Sequence, residues 1–106
     1  MCELGIQDQL RQFVSDRDWG QFHTPENLAK SISIEAAELL ECFQWDKEGD
    51  IAAARMELAD VLTYAFLLAD RLGEKPEELI LEKMRITEEK YPIERAHGKA
   101  TKYDQL

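Results

Sequence analysis

Between Ile34 and Tyr64 the chain carries two pairs of carboxylates, Glu35 with Glu38 and Glu57 with Asp60, each spaced i, i+3. On an α-helix that spacing puts both acids on one side, about one turn apart. With Glu35 set at zero and each residue advanced by about 100°, Leu28, Leu39, Ile32 and Phe43 fall between roughly 20° and 80°, on one apolar stripe. Glu35 lies on the shoulder of that stripe and Glu38 just beyond it. Around Glu57 the same construction places Leu68, Val61, Ala54, Leu72 and Ala65 between roughly 20° and 80°, with Asp60 and Tyr64 beyond the acid. A carboxylate at the edge of a buried face is costly unless paired or metal-bound. A single i, i+3 pair is ordinarily a solvated face. Two pairs on two consecutive stripes reverse that reading, and a hard divalent cation such as Mg²⁺, with Mn²⁺ as a substitute, is the counter-charge they suit. Glu41 falls further round, toward solvent, and is the weaker ligand candidate.

The rest of the chain reads as helical. Ile6, Leu10, Phe13 and Val14 define a first helix from about Leu4 to about Asp16. Residues 17–23 break it with an aromatic-rich irregular segment. Thr24 followed by Pro25 is a hydroxyl cap with Pro at the first helical position, opening a second helix that runs to about Phe43. Asp50 caps a third helix that ends near Leu72, before Gly73. Pro76, with Glu77 and Glu78 behind it, opens a fourth that ends near Tyr91 and Pro92. The tail from Ile93 to Leu106 is polar and basic in its middle, with Lys99 and Lys102, and the sequence does not decide its order. Short connections favour antiparallel neighbours, so helices two and three form a hairpin across which the acid pairs meet. The expected fold is all-α, an antiparallel four-helix bundle-like protomer.

Composition narrows the function. At 106 residues the chain is read as a single domain, residues 1–106, whose modest core would gain from self-association. Its net charge of −9 disfavours a nucleic-acid polymer, which wants a basic surface, yet not a free nucleotide whose charge a metal can carry. No apolar run approaches the roughly 20 residues of a membrane span, and no basic-then-apolar leader precedes the first helix, so a cytoplasmic protein is expected. Cys2 and Cys42 have no metal-type spacing and are read as reduced thiols.

Glu-x-x-Glu followed by Glu-x-x-Asp on two helices resembles the MazG-like nucleotide pyrophosphohydrolases, of the all-α NTP pyrophosphatase type. The likeness extends to Arg17-Asp18-Trp19-Gly20-Gln21-Phe22-His23-Thr24-Pro25, to Phe43-Gln44-Trp45, to Glu57 through Tyr64, and to Lys83 with Lys90-Tyr91-Pro92, which are most similar to the dCTP pyrophosphatase branch. It covers most of the chain, from about Asp16 to about Tyr103. The resemblance implies a Mg²⁺-dependent enzyme that cuts nucleoside triphosphates between the α- and β-phosphates. It implies a homodimer or a dimer of dimers with sites at the subunit interface. By position it implies Glu35, Glu38, Glu57 and Asp60 as metal ligands, Trp19, Gly20, Gln21, Phe22, His23, Trp45 and Tyr64 around the nucleotide, and Lys83 near the phosphates. Glu38, toward the open side of its helix, is the candidate general base. The chain departs from the family at Thr87, where Asn is frequent, at Leu10, where the dCTP branch has a His, and in a shorter break between helices two and three. The resemblance therefore sets no base preference.

Taken without the resemblance, Trp45 and Phe43 suit a core or interface equally well, and Lys83 a solvated lysine. Two other classes compete. A carboxylate-bridged di-iron bundle needs Glu-x-x-His, and neither His23 nor His97 follows a Glu at that spacing. A non-enzymatic acidic helical interaction module needs no metal at all.

Overall fold

The computed structural model describes residues 5–106; Leu4 and Cys2 lie outside the described residues. Among the described residues every regular element is helical, as the periodicities require. The chain divides into two compact units, Met1–Glu74 and Lys75–Leu106. The first holds α1 (Ile6–Asp16), a 3₁₀ turn (Gly20–Phe22), α2 (Pro25–Glu41) and α3 (Ile51–Arg71). The second holds α4 (Pro76–Lys90), α5 (Ile93–Ala96) and a terminal 3₁₀ turn (Tyr103–Gln105). Among the described residues no helix is long and apolar enough to cross a membrane.

The helix ends follow from local chemistry. The Thr24 hydroxyl accepts from the Asn27 backbone N–H at 3.1 Å, and the Asp50 carboxylate accepts from that of Ala53 at 3.1 Å, which satisfies one orphan donor at the start of α2 and one at the start of α3. Two ends differ from expectation. α2 stops at Glu41 rather than near Phe43, because Cys42, Phe43 and Gln44 turn their N–H groups to Leu39, Leu40 and Glu41, three residues back, and the last turn tightens to 3₁₀. At the end of α3, Leu72 is the cap rather than a stripe residue, and it is 57% exposed. Gly73 then adopts φ +74°, and Glu74 N–H bonds back to Ala69 at 2.9 Å, closing the helix with a left-handed residue that glycine adopts freely.

Gly49 makes the α2–α3 connection possible. It has φ +68°, and a Cβ there would meet the Phe43 ring at 2.4 Å. Phe43 thus fills the loop rather than extending the helix stripe.

α2 and α3 pack on each other more extensively than any other pair, forming the hairpin the sequence implies. α1 packs on α3, where the Arg11 guanidinium forks onto the Asp70 carboxylate and also reaches Asp8 at 2.9 Å. Gln7 adds a bond to the Glu74 carbonyl at 3.0 Å. The core of this unit is thin. Among the described residues Leu28, Ala54 and Ala69 are its buried apolar residues, whereas Leu40 is 70% exposed and Ile51, Leu58 and Leu62 are all about half exposed or more. These last three recur at i, i+7 and i+11, so α3 carries an exposed apolar strip that flanks its buried stripe.

In the second unit the tail is ordered. The Tyr91 hydroxyl accepts from the Tyr103 N–H at 3.1 Å, their rings meet edge-on at 6.1 Å, and the Lys90 ammonium lies 4.8 Å from the Tyr103 ring centroid.

Candidate active site

The acids on the two stripes converge. Carboxylate oxygens of Glu35 on α2 and of Glu57 and Asp60 on α3 lie within 4.8 Å of one another. Glu38 is within hydrogen-bonding reach of both Glu35 and Glu57. The shoulder positions deduced from periodicity are the reason. Glu35 and Glu57 are half-buried at the hairpin seam, while Glu38 and Asp60, one turn on, face its open side. Crowding shows in their proton affinities. The Glu35 carboxyl is pushed up to about 7, first by the hydrogen bond its protonated form donates to Glu38, then by burial and the charges of Glu38, Asp60 and Glu57. Glu57 is raised chiefly by burial, then by Glu38. Glu35 Oε2 and Glu57 Oε2 are buried and accept no hydrogen bond. Two orphaned hard oxygens beside two further carboxylates fit a Mg²⁺-type cation and give a soft metal no sulfur ligand in the cluster.

A cavity of about 370 Å³ opens beside the cluster, and Asp60 lines it. Leu10, Val14 and Leu67 supply its apolar wall, with Phe13 and Trp19 as aromatic faces and His23 and Tyr64 as polar rims. The Thr63 hydroxyl at its edge donates to the Ala59 carbonyl at 2.8 Å. The wall is built by the turn after α1. Trp19 N–H returns to the Val14 carbonyl at 3.1 Å, and the Asn27 amide donates to the Phe22 carbonyl at 3.0 Å, which ties the 3₁₀ turn to the first turn of α2.

Of the residues expected around a nucleotide, Trp19, His23 and Tyr64 meet at this cavity. Gly20 lines a neighbouring cavity of about 330 Å³, which shares Val14, His23 and Leu67 as its partition. Gln21 turns its amide onto the Asp18 carbonyl and carboxylate, both at 3.1 Å, and so braces Asp18 in its left-handed conformation, φ +52°. Phe22 is 60% exposed and Trp45, in the α2–α3 loop, 90% exposed. Lys83 belongs to the second unit, where it lines a cavity of about 480 Å³ with Ile80, Met84 and Tyr91. Thr87, one turn on, donates its hydroxyl to the Lys83 carbonyl at 3.0 Å. Phe13, which periodicity alone marks as core, and Leu67, which lies off the α3 stripe, are further cavity residues. Cys42 is a free thiol raised by burial, one turn beyond Glu38, whose carbonyl lies 3.7 Å from its sulfur.

Helices bearing Glu-x-x-Glu and Glu-x-x-Asp, with Glu35, Glu57 and Asp60 at one focus and Glu38 beside it, define an all-α protein of the MazG type. The chain belongs to the MazG-like family, which matches residues 30–106, and lies near its dCTP pyrophosphatase branch. It is 37% identical over 105 residues to dCTP pyrophosphatase 1 of Homo sapiens and 35% identical to that of Rattus norvegicus. Each alignment covers 90% of this chain, and the chain spans 62% of the length of these curated relatives. It superimposes with a TM-score of 0.77 on the crystal structure of a pyrophosphatase from Archaeoglobus fulgidus, at 40% identity, covering 87% of this chain and 98% of that one.

Proposed function

We propose that the protein is a Mg²⁺-dependent nucleoside triphosphate pyrophosphohydrolase that cleaves between the α- and β-phosphates. Asp60 carries this reading: it is the one side chain that belongs both to the acid focus and to the aromatic cavity. A ligand reaching from one to the other places an anionic phosphate chain at the cation and a base among the rings. The dCTP named for the mammalian relatives is the first substrate to try, with the other (d)NTPs beside it.

Glu35, Glu57 and Asp60 would hold the cation, with Mn²⁺ able to replace Mg²⁺. When bound, such an ion neutralises phosphate oxygens and lowers the pKa of coordinated water. The protein's own groups do the rest. Glu38, within reach of two of the other acids and open to solvent, accepts the proton of the attacking water. Trp19 and Tyr64 offer faces on which a base stacks, and His23 offers a ring nitrogen at the cavity edge. The exposed apolar faces of α2 and α3 support a homodimer or a dimer of dimers, since a monomer this thin in core leaves them in water. The Mg²⁺ requirement and a cytosolic nucleotide pool as the source of substrate belong to the same proposal.

The test is product analysis with a panel of dNTPs, with and without Mg²⁺. Pyrophosphate with the monophosphate, formed only with the metal, is expected. Orthophosphate would move the point of cleavage, and no product with any divalent ion would favour the interaction-module reading. Sedimentation velocity at micromolar concentration tests the assembly, and a monomer there removes it.

A further inference from the structure

Arg17 takes no part in the site as described, yet the aromatic wall is arranged around it. It is the C-terminal cap residue of α1, on the turn that leads to Trp19. Its guanidinium carbon stands 3.7 Å from the centroid of the Phe13 ring and 5.8 Å from that of Trp19. One arm, Nη1, donates to the Phe13 carbonyl at 3.0 Å. Phe13 and Trp19 meet edge to face, centroids 5.7 Å apart and planes at 69°. Both rings line the cavity beside Asp60 and both are exposed, at 46% and 44%. Rings on a helix end and the turn beyond it, half in water, have little packing to hold one rotamer. A planar cation laid across one and beside the other restricts both.

We infer that Arg17 is a positioning residue for the nucleotide cavity: it clamps the Phe13–Trp19 pair in the orientation that presents an aromatic face to the base. The inference rests on the pyrophosphohydrolase reading. It requires the flat guanidinium and not merely a positive charge, because the contacts are a stack and a carbonyl bond made by one rigid fork. A lysine keeps the charge and loses the plane. Were Arg17 instead a phosphate contact, lysine would serve nearly as well.

The chain has two tryptophans, Trp19 and Trp45, so a W45F background leaves Trp19 as the sole indole. In that background Arg17→Ala should lower the steady-state fluorescence anisotropy of Trp19 in the absence of nucleotide. In the otherwise native chain Arg17→Ala should raise KM for dCTP roughly two- to fivefold with kcat unchanged, and Arg17→Lys should recover less than half of that loss. Unchanged anisotropy overturns the clamp. So does a KM equal to the parent's in an active enzyme, or full recovery by lysine. A parent that neither binds nor cleaves any dNTP overturns the functional reading and takes this inference with it. A parent that is active with an indifferent Arg17→Ala variant overturns the inference alone.

Discussion

The acid focus and the aromatic cavity share Asp60 and are built in opposite ways. The acids stand on two long helices packed on each other, at positions dictated by the turn of the helix. The Cα positions of Glu35 and Glu57 cannot shift without moving α2 or α3. The cavity wall is a 3₁₀ turn, a left-handed Asp18 and two half-exposed rings, held by single hydrogen bonds and one guanidinium. The first region stores electrostatic tension on a stiff frame; the second has little tension and a soft frame. Chemistry should therefore depend steeply on the first, and affinity gradually on the second.

The steepest expected effect is at Glu38. Glu38→Gln removes the proposed proton acceptor while keeping shape, and kcat should fall by about 10²–10⁴ with helical circular dichroism unchanged. Retained turnover removes Glu38 from the mechanism. A smaller effect is expected at the rings. Trp19→Ala should weaken dCTP binding by about 1–3 kcal/mol, measured by calorimetry with Mg²⁺, and leave the melting temperature nearly untouched. Trp45→Ala is the sharper comparison. Trp45 is 90% exposed within the chain, so a large thermal loss on its removal would place it in a contact between copies rather than at a ligand.

What could be read beforehand divides along the same line. The hairpin and its acid focus follow from spacing, because a period near 3.6 converts sequence position into direction. Thr24, Asp50 and Gly73 mark helix ends through chemistry that acts within four residues. The 3₁₀ tightening after Glu41 and the seating of Phe43 on Gly49 depend on how the loop closes, which no periodicity encodes. Gln21 shows the limit most clearly. Its place in an aromatic-rich motif points to the ligand, and the fold spends its amide on Asp18. The ordering of the tail depends on Tyr91 meeting Tyr103 across 12 residues, a contact that composition cannot announce.

Protonation distinguishes the two regions without any substitution. The Glu35 carboxyl titrates near 7 in the folded chain against 4.5 for a free side chain, so folding favours the protonated form. That stabilisation is complete below about pH 4.5 and is lost as the pH climbs through about 7, where the unfolded chain has already given up its proton. The metal-free protein should melt progressively lower between about pH 5 and pH 8. On the proposed function Mg²⁺ would bind the ionised acids, so adding it should raise the melting temperature more at pH 8 than at pH 6. A metal-free melting temperature that is flat across this range would show the acids to be too far apart in solution to feel one another.

The mildest expected effect is at the joint between the regions. Thr24 caps α2 directly after the turn that carries Trp19 and His23, and Asn27, in the same first turn, holds the Phe22 carbonyl. Thr24→Ala removes one cap bond and should cost about 1 kcal/mol, a shift in melting temperature of roughly 4–8 °C for a cooperative unit of this size. Glu35 lies about three turns further along α2, beyond the reach of a frayed end. The variant should therefore keep kcat under saturating dCTP while KM rises a little, because the turn loses its anchor and the acids do not. A matching fall in kcat would mean that the stiff frame takes its geometry from the soft one, and the separation between the two regions would fail at the residue that joins them.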